Sequence, residues 1–241
     1  MDIYTNWENT SNRIVDEKLT EWKQLPDVVI MLEHLHEELG KKYLKLLEKE
    51  KIDVKTIATY NDKYGAPRLF KFNDNLECSP STLRYISHAY DICKLIKSKD
   101  LKSVNIIEIG AGYGGLCLIL NVLSKTMNIA INKYYIYDLP HVEKLQRYYL
   151  GNFDFLGNIE WKDNNTFGED FVNCDNCLLV SNYCLSEIPL EFRKKYLRNL
   201  LPVIDGAYMI WNSESKEGLP FIINEEDEDP QTGFINKKIY F

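Results

Sequence analysis

From residue 103 onward the chain alternates short apolar runs with longer amphipathic ones: SVNIIEIG then GGLCLILNVLSK, NKYYIYD then LPHVEKLQRYYL, NIEW, NCLLVSN then PLEFRKKYLRNLL, and GAYMIWN. Runs such as IIEIG and CLLVS are apolar at successive positions rather than at every second one, which suits strands buried on both faces. The amphipathic segments between them supply the crossovers that parallel strands need. An α/β protein with a parallel sheet is therefore predicted. The end breaks the rhythm. LPFIINEEDEDPQTGFINKKIYF holds two extended candidates around an acidic, Pro- and Gly-containing connection without a helix, which suits an antiparallel hairpin. Its EEDED run reads as a solvated turn.

Ahead of this region the chain reads as helical and then irregular. Leu32, Leu35, Leu39, Tyr43 and Leu46 recur at three and four residues, one stripe of an amphipathic helix whose other faces carry the charges of KKYLKLLEKEK. His34 and His36 lie on that helix two apart, on different faces, which argues against joint metal binding. YGAPRLFKF reads as a turn and a short extended piece. At Ser79-Pro80 a hydroxyl cap and an N1 proline open a new helix with Leu83, Ile86, Cys93 and Ile96 facing inward. The expected organisation is an N-terminal helical extension over 1–78 and an α/β domain over 79–241.

A formal charge of -7 gives no general attraction to a phosphate backbone, so no nucleic-acid partner is expected. No run approaches the roughly 20 apolar residues of a membrane span. The six cysteines, Cys78, Cys93, Cys117, Cys174, Cys177 and Cys184, have no repeating spacing, and MDIYTNWENT has neither a basic nor an apolar leader segment; reduced thiols and a cytoplasmic location follow. Cys174 and Cys177 form a lone C-x-x-C that reads as a turn before a strand. With no H-x-x-H, E-x-x-H or Asp-Asp pair placed for it, no metal is expected.

In an open parallel sheet, ligands sit beyond the carboxyl ends of the strands, and the first strand here ends at IIEIGAGYGG. Gly110, Gly112, Gly114 and Gly115 let the chain turn sharply and let a ligand lie against bare backbone. Gly110, Gly112 and Gly115 also fit the dinucleotide pattern G-x-G-x-x-G, which alone is a weak signal. Glu108 beside the turn is awkward for a pyrophosphate but useful for a ligand bearing an ammonium and a sulfonium. Asp138, at the end of the next strand, can accept ribose hydroxyls of either cofactor. The combination favours S-adenosylmethionine, with S-adenosylhomocysteine as product, over the nicotinamide cofactor of an NAD-dependent oxidoreductase. The cofactor set is then Glu108, Gly110, Ala111, Gly112, Tyr113, Gly114, Asp138 and Leu139, with Ser181 and Asn182 from the loop after NCLLV.

IIEIGAGYGGL, YYIYDLPHVEKLQRYYL, SNYCLSEI and EDPQTGFIN resemble blocks of the sugar O-methyltransferase family, a branch of the class I S-adenosylmethionine-dependent methyltransferases. The resemblance covers roughly 64–241. It implies a Rossmann-like class I methyltransferase fold, a seven-stranded mostly parallel sheet in the order 3-2-1-4-5-7-6 with strand 7 antiparallel. It also implies methyl transfer to a hydroxyl of a sugar, whether free, nucleotide-linked or part of a glycan. The chain departs from the pattern at His141, where such sequences more often carry an acid, and no family role is assigned there.

Methyl transfer is an in-line displacement, so the enzyme must hold the nucleophile at near-attack distance and take its proton. SNYCLSE follows the fourth strand: Asn182 and Tyr183 can orient oxygens, and Glu187 can serve as base or cap the helix near Pro189. His88 and Arg84, one turn apart on the helix before the first strand, are candidates for proton transfer and substrate contact. In the class I enzymes that the chain resembles, the loop that holds Asp163 and Asn164 contacts the adenine amine, which makes both cofactor candidates; the alternative is an ordinary Asx turn. Gln146 lacks a packing role and suits a polar contact, whereas Tyr149 belongs to the core stripe. Trp211 and Asn212 can line an acceptor pocket, although tryptophan is equally at home in a core. Glu228, Pro230, Thr232 and Asn236 read as structural. A methyltransferase acting on a non-sugar small molecule and a binding protein that kept the fold without catalysis are the competing readings.

Overall fold

A computed structural model describes residues 3–172, 175–220 and 223–241. Four helices come first, α1 (Ile3–Asp16), α2 (Pro26–Met31), α3 (Glu37–Lys49) and α4 (Val54–Asp62), then a hairpin of β1 (Phe70–Asn73) and β2 (Leu76–Cys78), and α5 (Pro80–Ser98). The alternating region follows as β3 (Ser103–Ile109), α6 (Gly115–Thr126), β4 (Ala130–Asp138), α7 (Pro140–Leu150), β5 (Ile159–Asp163), β6 (Cys177–Asn182), α8 (Cys184–Glu187), α9 (Leu190–Leu200), β7 (Gly206–Trp211), β8 (Asn224–Asp227) and β9 (Lys237–Tyr240). Contacts divide the chain into two units: Met1–Cys93, Gly112–Met127 and Pro140–Leu156 form the first, and Lys94–Ala111, Asn128–Leu139 and Gly157–Phe241 the second. Among the described residues no helix is long and apolar enough to cross a membrane.

The second unit holds the seven-stranded sheet, in the order β5-β4-β3-β6-β7-β9-β8. β3 to β7 run parallel, and β9 is antiparallel to both β7 and β8. Counted from β3 this is 3-2-1-4-5-7-6 with the seventh strand reversed, the class I methyltransferase arrangement that the resemblance implies, built on the parallel sheet that the alternating pattern predicts. β7, between β6 and β9, is buried at every position. Its Met209 and Trp211 pack with Ile107, Leu179 and Ile239 of neighbouring strands and with Tyr196, Leu197 and Leu200 of α9. Each such aliphatic side chain contributes about 1.5–3 kcal/mol of transfer free energy on burial.

β8 corrects the reading of EEDED as a turn: Asn224–Asp227 is a strand, exposed at all four positions on the sheet edge. Glu226 and Asp227 lie opposite Lys238 and Lys237, with ion pairs of 3.1 and 2.6 Å, so cross-strand charge pairing offsets the poor strand propensity of acids. Exposed charges also discourage pairing of this edge with another chain.

The first unit corrects a second expectation. Leu32 to Leu46 is not one helix: α2 stops at Met31, residues 33–36 have no regular structure, and α3 starts at Glu37. His34 therefore lies off the helix, and His36 caps it, its Nδ1 accepting from Leu39 N at 3.4 Å. The break has tertiary causes. Glu33 accepts hydrogen bonds from Tyr113 OH (2.7 Å) and Ser79 Oγ (3.0 Å), and Arg84 donates to Leu32 O at 3.0 Å. These bonds require a backbone path that a continuous helix could not follow. α5 begins as expected, with Ser79 Oγ accepting from Ser81 N, and Leu83, Ile86, Cys93 and Ile96 are fully buried. Cys177 opens β6 and is a free thiol, as are Cys78, Cys93, Cys117 and Cys184; Cys174 lies outside the described residues.

At the centre of this unit is a buried cation. Lys23 is 1% exposed, donates from Nζ to Asn61 O at 2.6 Å, and lies 4.6 and 4.9 Å from the ring centres of Tyr113 and Tyr149. Burial pulls its pKa from 10.5 down to about 8, against the attraction of Glu33 and Asp62. Between those two values the unfolded chain binds the extra proton, so this residue's contribution to stability increases as pH climbs through the window. Lys23→Met should remove that increase, seen as a wild-type-minus-variant difference in urea midpoint that changes from one end of the window to the other.

Candidate functional site

Because β3 to β7 are parallel, their carboxyl ends share one edge of the second unit's sheet, which collects Glu108, Gly110, Ala111, Asp138, Leu139, Asp163, Asn164, Ser181, Asn182, Tyr183, Glu187 and Asn212. The turn after β3 needs glycine for two reasons at Gly110. Its φ is +76°, and a Cβ there would lie 2.2 Å from Cys184 Cβ. Asp138 ties this turn to the end of β4: Oδ2 accepts from Ala111 N and Oδ1 from Leu139 N, both at 2.9 Å.

Glu108 is 2% exposed and accepts from Tyr134 OH at 2.6 Å. Burial raises its pKa from 4.5 to about 8, the Tyr134 bond opposes this and the charge of Asp138 adds to it, so the neutral carboxyl predominates at neutral pH. A cation brought alongside would draw the proton off.

The loop after β6 is braced from several directions. Ser181 Oγ donates to Ile109 O at 2.9 Å and accepts from Leu185 N at 3.0 Å, joining the end of β3 to α8. Asn182 follows as the last residue of β6, two beyond Val180, which pairs with Glu108. Its Oδ1 is buried with no hydrogen-bond partner among the described residues, an orphan acceptor at the strand end. Tyr183 adopts φ 68°, ψ -35°, a sparsely populated conformation for a side-chain-bearing residue. Its backbone N donates to Ile210 O at 2.8 Å and its OH to Glu228 at 2.5 Å. Glu228, 3% exposed, also accepts from Thr232 N (3.0 Å), Thr232 Oγ1 (2.7 Å) and Asn236 Nδ2 (2.8 Å). Glu187 does not cap α9, whose N-cap is Pro189; instead its Oε1 accepts from Asn212 Nδ2, and Asn212 is bonded to Ser186 Oγ.

Asp163 makes the Asx turn, Oδ1 accepting from Asn165 N, and Asn164 offers its carbonyl to Tyr196 OH. Trp211 is fully buried in the core and donates to Ser215 O. Glu228, Thr232 and Asn236, read from the sequence as structural, surround the Tyr183 hydroxyl.

The remaining candidates belong to the first unit. Gly112 has φ +54°, and a Cβ on it would meet Leu32 Cδ2 at 2.9 Å. Gln146 is fully buried and donates from Nε2 to Gly112 O at 2.9 Å, so its polar contact is to the turn itself. Tyr113 and Gly114 precede α6, with Tyr113 buried and bonded to Glu33. Arg84 is 4% exposed over the Tyr85 ring, and His88 stands edge-on to Tyr43. Tyr149 is a core residue as expected, its OH donating to Asn61 Oδ1 at 2.8 Å. His141 Nε2 is buried without a hydrogen-bond partner among the described residues, and burial lowers its pKa. Among the described residues no group of three His, Cys, Asp or Glu side chains is placed to hold a metal ion.

Neither protein-family models nor curated proteins match the sequence. Among solved structures the chain is similar to a candidate methyl transferase of Burkholderia thailandensis bound to S-adenosyl-homocysteine, with TM-score 0.44 and 14% identity over 54% of this chain and 46% of that one. It is also similar to a candidate RNA methyltransferase of Pyrococcus horikoshii, with TM-score 0.43 and 15% identity over 63% of this chain and 81% of that one. A candidate S-adenosyl-L-methionine-dependent methyltransferase of Methanococcus maripaludis gives TM-score 0.41 and 13% identity over 76% and 69%. This chain thus spans less than half the length of the Burkholderia protein. The strand order itself defines the fold, and likenesses at these scores carry no argument about chemistry.

Gly110→Ala should lower stability by about 3 kcal/mol through backbone strain and the clash with Cys184, read as a lowered urea midpoint. For Glu108, the raised folded pKa means that its stabilising contribution is complete below 4.5 and is lost as pH rises to about 8. Glu108→Gln keeps an acceptor for Tyr134 and should raise Tm more at the upper end of that window than at the lower.

Proposed function

We propose that the protein is an S-adenosylmethionine-dependent O-methyltransferase acting on a sugar hydroxyl. The observation that carries the reading is the shared strand edge on which Asp138 is bonded to the glycine turn while the buried acceptor Asn182 Oδ1, at the end of β6, has no hydrogen-bond partner among the described residues. These residues fit the cofactor by their donor chemistry. Bare backbone at Gly110 admits close approach, Asp138 accepts ribose hydroxyls, Asn182 Oδ1 takes an amine donor, and Glu108 becomes the counter-charge once ionised. Asp163 and Asn164 meet the adenine amine.

When bound, S-adenosylmethionine supplies a methyl group on positively charged sulfur. The chain's own task is to position the acceptor and move one proton. Glu187 is the base: Asn212 holds Oε1, leaving Oε2 to take the hydroxyl proton as attack proceeds. Tyr183 OH, held by Glu228, orients a neighbouring sugar oxygen. Support for a sugar acceptor comes from the meeting of two blocks that carry the family resemblance, SNYCLSEI and EDPQTGFIN, through this same bond.

Calorimetric titration should show binding of S-adenosylhomocysteine and not of NAD; the reverse would reassign the protein to the nicotinamide class. Asp138→Asn should weaken that binding by about tenfold or more, the worth of one charge-assisted hydrogen bond. Incubation with labelled methyl donor and a panel of glycosides should yield a product one methyl heavier. Glu187→Gln should slow its formation about 10²–10⁴-fold without changing S-adenosylhomocysteine affinity. Methylation of non-sugar alcohols alone would remove the sugar from the reading.

A further inference from the structure

The first unit contains a cleft that the proposed chemistry does not use. It has a volume of about 800 Å³ and lies between α4, the β1–β2 hairpin and residues 152–155, within the roughly 300–1,000 Å³ range of small-molecule sites. Tyr60, Phe153 and Phe155 form its aromatic wall, Tyr60 and Phe155 meeting edge to face at 5.8 Å and Phe153 and Phe155 at 6.0 Å. Phe155 is 39% and Leu69 43% exposed, so apolar surface is left open beside polar groups rather than buried. A second cleft of about 510 Å³ shares Tyr60 and Phe155 and adds Lys51, Thr56 and Lys125. The Tyr60–Phe155 pair therefore borders both clefts, and Lys125, which lines the second, holds its Nζ 4.6 Å from the Phe155 ring centre.

Charge selects among ligands. Lys55 and Lys63 face the larger cleft together with Asp62, Glu77 and Asp154, so neither sign dominates. Acids disfavour a phosphate or a lipid headgroup, and lysines disfavour a polycation. Aromatic surface interleaved with amide, hydroxyl, carboxylate and ammonium groups suits a neutral polyhydroxylated ring, whose C–H face packs on an aromatic side chain while its hydroxyls both donate and accept.

We propose that this double cleft binds an oligosaccharide, with successive rings on either side of the Tyr60–Phe155 pair. The place is given by the clefts; that the ligand shares the chemical class of the methyl acceptor rests on the sugar reading above. The test uses the full chain labelled with 4-fluorophenylalanine, the Phe153 and Phe155 signals being assigned from Phe→Leu variants. Chitohexaose, mannohexaose and maltohexaose are titrated, each alongside its methyl monosaccharide glycoside. At least one hexasaccharide should shift both signals and bind about tenfold or more tightly than its monosaccharide. Tyr60→Ala or Phe155→Ala should weaken that binding by about tenfold while S-adenosylhomocysteine affinity stays unchanged. The proposal is overturned if none of the three moves these signals at millimolar concentration, if both alanine variants bind as wild type does, or if an unstructured peptide saturates the clefts and the glycans do not. Failure of S-adenosylhomocysteine to bind wild type would instead overturn the methyltransferase reading and leave the cleft result standing.

Discussion

The carboxylate of Asp138 reaches back from the end of β4 to the amide of Ala111, and this bond sets what the strand edge can be. A chain leaving β3 must turn at once, and at Gly110 it turns with a backbone angle and a clearance from Cys184 that no side chain would tolerate. The amide exposed by that turn needs an acceptor, and the neighbouring parallel strand ends at the level where Asp138 can provide one. Acid and turn therefore define each other. Bare backbone and a strand-end carboxylate are thereby held together before any ligand arrives, which reduces the ordering that binding must impose.

The same edge is stiffened from the β6 side by two polar groups with opposite fates. Ser181 spends its hydroxyl internally, bridging Ile109 and Leu185, and so fixes the distance between β3 and the start of α8. Asn182, one residue on, keeps a buried oxygen without a partner among the described residues. Tyr183 then holds a strained backbone angle, tolerable because its amide and hydroxyl are both bound and because Glu228 is itself saturated by Thr232 and Asn236. The reversed strand pair β8–β9 brings this connection to Tyr183, which gives the end of the sheet a role in shaping the loop after β6.

The first unit solves a different problem. Lys23 is buried and Asp62 partly buried near Glu33, and desolvation moves their pKa values toward each other, to about 8 and about 6. Tyrosine hydroxyls, Asn61, Ser79 and Thr82 distribute the hydrogen bonds that such an arrangement needs. Buried ionic groups of this kind add little net stability, but they select one packing over others because any alternative would leave a charge unpaired.

Local periodicity was enough to read the alternating strands and helices, the reversed hairpin, the cap at Ser79 and the glycine turn with its flanking acids, because burial on two faces and tight turns each impose a composition on a few adjacent residues. It failed where partners come from far along the chain. The Leu32–Leu46 stripe has the spacing of one helix, yet it breaks because Tyr113, Ser79 and Arg84 bond the segment in between. EEDED has the composition of a turn, yet its first residues pair as a strand because Lys237 and Lys238 lie opposite. Glu228, Thr232 and Asn236 read as an ordinary connection until the sheet carries them to Tyr183, and the charge state of Glu108 could not be known before Tyr134 and the core enclosed it. Short-range sterics are written in neighbouring residues, whereas hydrogen bonds and desolvation depend on which distant groups the fold brings near.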